Sequence, residues 1–173
     1  MIEVIDNYLP QESHEVIYKY FMGHFDNGDI ANSCVWTFHD GISLPGDGYF
    51  QFVQQIFCNH TVISPAFGLI KEIIDKEDVM AIVRIKANLV TATEDIKVFD
   101  WAYHCDVPIE NTNGLITAIY YINDNDGYTI FEDGTKVDSV ANRLVRFSAS
   151  LKHTGTTCTN TSRRLLINFN YYA

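Results

Sequence analysis

The stretch Leu115-Ile-Thr-Ala-Ile-Tyr-Tyr-Ile-Asn123, with Asp124-Asn-Asp-Gly127 and Tyr128-Thr-Ile-Phe131 directly after it, decides the fold. Two runs of β-branched and aromatic residues flank a cluster of Asn, Asp and Gly, the pattern of strand, turn and strand. The same texture extends outward on both sides. It predicts strands over 79–90, 96–106, 115–123, 128–132, 143–148 and 163–172, with turn clusters at Asn111-Thr-Asn-Gly114 and Glu132-Asp-Gly134. Many short strands with regular turns imply a sandwich or jelly-roll barrel. Upstream the reading changes. Residues 1–8 fit an edge strand, and a helix opens at Leu9-Pro10 and stops at Gly23. Residues 33–38 fit a strand, 40–48 a loop, and Ser64-Pro65 a second helix start. The segment 49–60 stays open between helix and strand. The expected fold is α+β and mostly β: a double-stranded β-helix of the jelly-roll or cupin-like kind, with N-terminal helices packed outside. One domain spans 1–173, in which 1–78 form the helical N-terminal part with edge strands and 79–173 the barrel.

Composition narrows the function. The net charge is −10 and no basic face is visible, which excludes a nucleic-acid backbone as the expected partner. An acidic surface also repels a dianion, so a site for one needs a buried local cation. Cysteines 34, 58, 105 and 158 stand far apart without a C-x-x-C pair. They read as free, mostly buried thiols in a reducing compartment. No apolar run reaches a membrane span and the N-terminus does not read as a signal peptide. A cytoplasmic location without membrane partners is expected.

A mononuclear iron site of the two-His, one-carboxylate kind needs three ligands on one face, leaving open positions opposite. His-x-Asp at a strand end supplies two of them together, because residues i and i+2 point to the same side. Two such triplets occur. His24-Phe-Asp26 follows the first helix in a Gly/Asp/Asn-rich stretch and reads as a solvated turn. His104-Cys-Asp106 ends the aromatic run Val98-Phe-Asp-Trp-Ala-Tyr103 and is closed by Val107-Pro108. It is the metal-site candidate. His14, His39 and His60 have nothing around them that completes a site.

His104-x-Asp106, a His at 153 and an Arg at 163 resemble, in order and spacing, the 2-oxoglutarate/Fe(II)-dependent oxygenase superfamily, closest to its prolyl 4-hydroxylase-like branch. Flanking segments agree. Leu115–Asn123 resembles the family strand ending Tyr-Leu-Asn. Asp126-Gly-Tyr-Thr-Ile-Phe131 resembles the Gly-Gly-x-Thr-x-Phe hairpin, and Asn142-Arg-Leu-Val-Arg-Phe147 the strand before the distal histidine. The resemblance covers about residues 79–172. It implies that His104, Asp106 and His153 ligate Fe(II) and that 2-oxoglutarate is co-substrate. It also implies consumption of O2, ascorbate as an accessory reductant, and hydroxylation of a small-molecule or peptide substrate, with peptidyl proline as the branch-typical target. The intact Asp106 departs from the halogenase variant.

Such a site needs a cation for the far carboxylate of 2-oxoglutarate, ideally a guanidinium. Arg163 and Arg164 compete. Arg163 shares strand parity with Leu165, Ile167, Phe169 and Tyr171, a wholly apolar face. Arg164 shares it with Leu166, Asn168, Asn170 and Tyr172. Taking the apolar face as inward selects Arg163 as the anchor and leaves Arg164 solvated. The resemblance adds Tyr121 as a donor to the same carboxylate, and Asn88 is a further co-substrate candidate. Phe147 and Phe169 are expected to wall the pocket, and Trp36, Phe38, Trp101 and Tyr103 either to stack on a substrate or, the favoured reading, to fill core. The alternatives are a non-catalytic cupin-like metal-binding protein and a structural jelly roll. Neither calls for an inward arginine.

Overall fold

The computed structural model describes residues 1–23, 34–42, 46–108, 110 and 112–173. The triplet at 24–26 lies outside them. Strand occupies 41% and helix 16%, so β structure sets the architecture. The elements run β1 (Ile2–Ile5), α1 (Gln11–Met22), β2 (Thr37–Asp40), β3 (Phe50–Cys58), β4 (Thr61–Val62), α2 (Ala66–Leu69), α3 (Lys71–Lys76) and β5 (Ala81–Thr91). They continue with β6 (Ile116–Tyr121), β7 (Tyr128–Phe131), β8 (Lys136–Asp138), β9 (Arg143–Ser148), β10 (His153–Gly155) and β11 (Arg163–Tyr172).

Two antiparallel sheets result. The larger is ordered β1-β9-β6-β11-β5-β3-β2 with β4 against β3, and the smaller is β10-β7-β8. The ambiguous 49–60 segment is thus largely a strand. β11 is central, paired to β5 on one side and β6 on the other. Pro10 precedes the first turn of α1, where its missing N–H costs nothing, and Gly23 ends the helix at φ 73°. Ile17 and Phe21 of α1, with Ala66, Ile70 and Ile73 of the α2–α3 region, pack on Ile85, Ala87, Leu165, Ile167, Phe169 and Tyr171. The helices therefore cover one face of the large sheet. The other face meets the small sheet through Ile119, Tyr121, Phe131, Val137, Val145, Phe147 and Leu166.

Four expectations need correction. Residues 96–106 do not form a strand. Asp100–Ala102 make a 3-10 turn, and only isolated bridges at Val98 and His104 remain. The aromatic run was read for its β propensity, but Ala102 N–H closes locally on Phe99 C=O at 2.9 Å. Second, Phe38 and Trp101 are 59% and 52% exposed, so they do not fill core. Third, Phe169 packs under the helices, away from the second cluster, whereas Phe147 lies 4.9 Å ring to ring from His153. Strands β8 and β10 were not anticipated, being three residues each. The cysteines are free, but the expectation that they are mostly buried does not hold: Cys158 is buried, whereas Cys34, Cys58 and Cys105 are half-buried.

His14 is a buried core histidine whose Nδ1 lies 2.7 Å from the Tyr120 hydroxyl. Burial pulls its pKa below the ordinary value near 6.5, against the opposing pull of Asp124 and Glu15. A histidine whose folded pKa is depressed binds fewer protons folded than unfolded below that value. Its neutral form therefore stabilises fully above about pH 6.5, and the contribution is lost as pH falls below it. The stability difference between the native chain and His14→Gln is expected to shrink between pH 7 and pH 5. Denaturant titrations of both proteins across that range check it, and a constant difference refutes it.

Candidate metal and anion site

His104 and His153 are joined by a two-way backbone bridge, with each N–H donating to the other's C=O at 3.1 Å. This pins the proximal and distal ligand residues opposite one another without a continuous strand at 104. Both Nδ1 atoms face carbonyls: His104 that of Ala102 at 2.9 Å and His153 that of Leu151 at 3.2 Å. A carbonyl only accepts, so each Nδ1 carries the proton and each Nε2 keeps its lone pair. That is the tautomer that binds metal, fixed from behind by its hydrogen bond. The possible ligand atoms of His104, Asp106 and His153 lie within 4.8 Å of one another, and Asp106 Oδ2 is 3.7 Å from His153 Nε2.

Asp106 is held on every side. Arg84 Nη2 donates to Oδ1 at 3.0 Å, and the amides of Asn168 and Asn170 donate to Oδ2 at 2.9 and 3.3 Å. Burial opposes its ionisation, but His153, Lys86, Arg84 and Asn168 together hold its carboxyl well below the usual carboxylate range. Burial likewise pushes His153 down, toward the neutral ligating form. The site thus presents a carboxylate held in its ionised form and, at His153, an imidazole held toward its neutral form.

A narrow cavity of about 80 Å³ adjoins this cluster. Its lining includes Asn88, Phe99, Thr129, Gly155, Arg164 and Leu166 besides the three ligand candidates. A larger groove of about 760 Å³ elsewhere, bordered by Tyr20, Val35, Ile63 and Leu69, gathers no ligand set among the described residues.

Here the sequence reading of the anchor is overturned. Arg164, not Arg163, enters the cavity. Arg164 is 2% exposed. Its Nε donates to Ser139 Oγ at 2.8 Å and its Nη2 to Thr129 Oγ1 at 3.1 Å. Arg163 is half-buried and, among the described residues, its side chain donates only to the neighbouring Ser162 hydroxyl. The parity argument failed because β11 is buried on both faces. Its apolar face lies under the helices, while the face bearing Arg164, Leu166, Asn168 and Asn170 looks between the sheets. Among the described residues no carboxylate pairs with Arg164. A buried unpaired guanidinium is costly, so the position is built for an anion from outside the chain.

The remaining candidates divide. Tyr121 is fully buried on the same side as Arg164, but its hydroxyl donates to Thr129 at 2.8 Å. It supports Thr129, which in turn accepts from Arg164. Asn88 lines the cavity and donates to Gln51 Oε1 at 2.6 Å. The Oδ1 atoms of Asn88 and Asn168 are buried without a partner. Sequence reading missed Thr129, Asn168, Arg84, Lys86 and Gln51. Asn168 and Asn170 were visible as polar residues interrupting a strand that is otherwise apolar, a signal set aside when that face was taken for the solvated one.

Two glycines make room for Arg164. A Cβ on Gly127 would sit 2.7 Å from Thr157 C=O and 2.8 Å from Arg164 Cδ, and one on Gly155 would sit 3.2 Å from Arg164 Nη1. Gly127→Ala must therefore move backbone or displace the guanidinium. It is expected to destabilise the fold by about 1–3 kcal/mol and to weaken anion binding at the cavity. Thermal melting and ligand titration check both, and an unchanged affinity would show that the cradle is not needed.

No family model matches this sequence, and no curated protein does either. Solved structures do match in fold. A prolyl hydroxylase from Trichoplax adhaerens, in complex with a hypoxia-inducible-factor oxygen-degradation-domain peptide fragment, superposes with a TM-score of 0.61 at 15% identity. The match covers 99% of this chain and 83% of that one. The viral collagen prolyl hydroxylase of Paramecium bursaria Chlorella virus-1 in its 2OG complex gives 0.56 at 13% identity, over 99% and 96%. A 2OG-Fe(II) oxygenase-family oxidoreductase from Burkholderia pseudomallei gives 0.51 at 12%, over 70% and 68%. The chain has the 2OG-Fe(II) oxygenase fold. At these identities the likeness establishes the oxygenase fold and its double-stranded β-helix; the site rests on the residues described above.

Proposed function

We propose that this chain is an iron(II)- and 2-oxoglutarate-dependent dioxygenase that hydroxylates its substrate. The observation that carries the reading is the pairing of two features in one cavity: the His104, Asp106 and His153 cluster, and the carboxylate-free buried Arg164. A cupin-like metal-binding protein accounts for the first feature and leaves the second an unexplained cost.

The residues present fit both groups. His104 Nε2, His153 Nε2 and Asp106 Oδ2 would hold the metal, leaving the open positions that a two-His, one-carboxylate site needs. Arg164 would receive the far carboxylate of 2-oxoglutarate. Its Nε and Nη2 are already fixed by Ser139 and Thr129, so the guanidinium is oriented before the ligand arrives. With both bound, the pair supplies O2-dependent conversion of a substrate C–H to C–OH while 2-oxoglutarate becomes succinate and CO2. The chain itself orients and shields. Val90, Phe99, Ile119 and Leu166 give the cavity apolar walls that keep water away from the reacting face. Arg84, Asn168 and Asn170 hold the carboxylate of Asp106 in place.

An anaerobic titration tests this without knowledge of the substrate. Fe(II) and then 2-oxoglutarate are added to the apoprotein, and the visible charge-transfer band of the chelated 2-oxo acid is followed. Appearance of the band is the expected result. Iron binding without the band favours the cupin-like alternative, and absence of iron binding sinks the metal site.

A further inference from the structure

We infer that Lys86 is a second anion-binding group of this cavity, placed to receive a carboxylate or comparable anionic group on the substrate. The inference rests on the oxygenase reading and narrows its substrate class.

Lys86 lines the cavity beside Asp106, Asn88 and Asn168. Among the described residues its ammonium has neither a hydrogen bond nor an ion pair. Asp106 acts on it electrostatically, yet that carboxylate is already occupied by Arg84, Asn168 and Asn170, and its free face is turned to His153. The sheet register separates the two cations. Lys86 lies across from Asn168, whereas Arg164 lies across from Val90. Four residues along a strand amount to about 13 Å, so Lys86 belongs to the metal end of the cavity and Arg164 to the far end.

Charge then decides what Lys86 is for. Among the described residues the cavity region carries three cations, Arg84, Lys86 and Arg164, against one carboxylate, Asp106. Iron(II) and 2-oxoglutarate add a dication and a dianion, which cancel. An excess of two positive charges remains after the site is loaded. Arg84 is partly exposed, 26% at its side chain, and solvent screens part of its share. Lys86, itself half-buried, lines the cavity with Asn88, Asn168 and the metal-ligand cluster, where an entering group meets it. An arriving anion supplies the counter-charge that the protein withholds. The chain's net charge of −10 acts at long range and is damped over about 8 Å in physiological salt, so the local cations govern the cavity.

The test uses the anaerobic protein loaded with Fe(II) and saturating 2-oxoglutarate. Three carboxylates of increasing size (acetate, N-acetylglycine and N-acetyl-L-proline) are each titrated against the corresponding amide while the visible band is followed. At least one carboxylate is expected to perturb the band with an affinity at least about ten-fold above its amide. Lys86→Met is expected to lose that preference and Lys86→Arg to keep it. In Lys86→Met the band itself reports a folded, loaded site. Equal responses to acid and amide, or no response to any carboxylate, would overturn the inference. So would a Lys86→Met protein whose main defect is weaker 2-oxoglutarate binding, since Lys86 would then serve the co-substrate. If the native protein never develops the band, the oxygenase reading itself has failed, and the two failures are distinct.

Discussion

Arg164→Ala is expected to raise the 2-oxoglutarate concentration that half-forms the charge-transfer band by at least about 30-fold, the usual cost of removing one partner of a buried charged contact. Arg163→Ala is expected to change it by no more than about two-fold, because that side chain is half-buried and, among the described residues, hydrogen-bonds only to Ser162. Iron affinity should be unchanged in both, since neither residue touches the ligand cluster. The contrast between adjacent residues makes the test sharp. It also carries a stability signature. In the unliganded protein Arg164 is a buried charge without a counter-ion among the described residues, held by the hydroxyls of Ser139 and Thr129 and stacked over the Tyr121 ring. Arg164→Met removes the charge and keeps most of the volume, so it is expected not to lower the melting temperature of the apoprotein. A residue kept for structure would show the opposite. If Arg163→Ala carries the 2-oxoglutarate defect, the facing of β11 is wrong.

Asp106→Ala is expected to cost at least about 100-fold in iron(II) affinity, more than the 10–100-fold typical of losing a group that only supports a ligand. The change removes a ligand and unties the network behind it. Arg84, Asn168 and Asn170 all donate to this one carboxylate. Without it the Asn168 amide loses its acceptor, while Arg84 keeps Asn170 Oδ1 and Asn170 keeps Thr117 Oγ1, both at 3.1 Å, and the apoprotein should lose about 1–3 kcal/mol as well. Asp106→Asn separates the two roles. It keeps one acceptor oxygen for the network but surrenders the anionic ligand, so the stability loss should be smaller while the iron defect persists. Metal titration and denaturant melts of both variants check this. Near-native iron affinity in Asp106→Ala would remove it from the ligand set.

Much of this was readable in one dimension because the relevant signals are local. Period-two runs with Asn, Asp and Gly between them encode antiparallel strands, since alternate residues face alternate sides and turns need residues that tolerate them. The β6 to β7 segment that opened the reading is a strand, a turn and a strand. His104 and Asp106 stood out because their triplet ends an aromatic run and is followed, in the order and spacing of the resemblance, by His153 and an arginine, and the structure brings the three ligand candidates together. The segment before them was misread as a strand because aromatic content reports burial and propensity, not hydrogen bonding. There Phe99 and Ala102 close a turn instead.

Burial pattern alone cannot say which side of a strand is the working side. Equating the apolar face of β11 with the interior works for a sheet wet on one side. This sheet is covered on both, by helices on one face and by the small sheet on the other. Leu165, Ile167, Phe169 and Tyr171 therefore mark the helix-facing core, and the polar series Arg164, Asn168 and Asn170 marks the chemistry. The support of Arg164 by Thr129 and Ser139, of Asp106 by Arg84, and the position of Lys86 opposite Asn168 join residues 22 to 82 apart in sequence. Residue identity and spacing along the chain specified strands, turns and a ligand pair, because those depend on neighbours in sequence. The choice of arginine and the charge balance of the cavity depend on what packs across from each strand, and only the assembled sheets settle that.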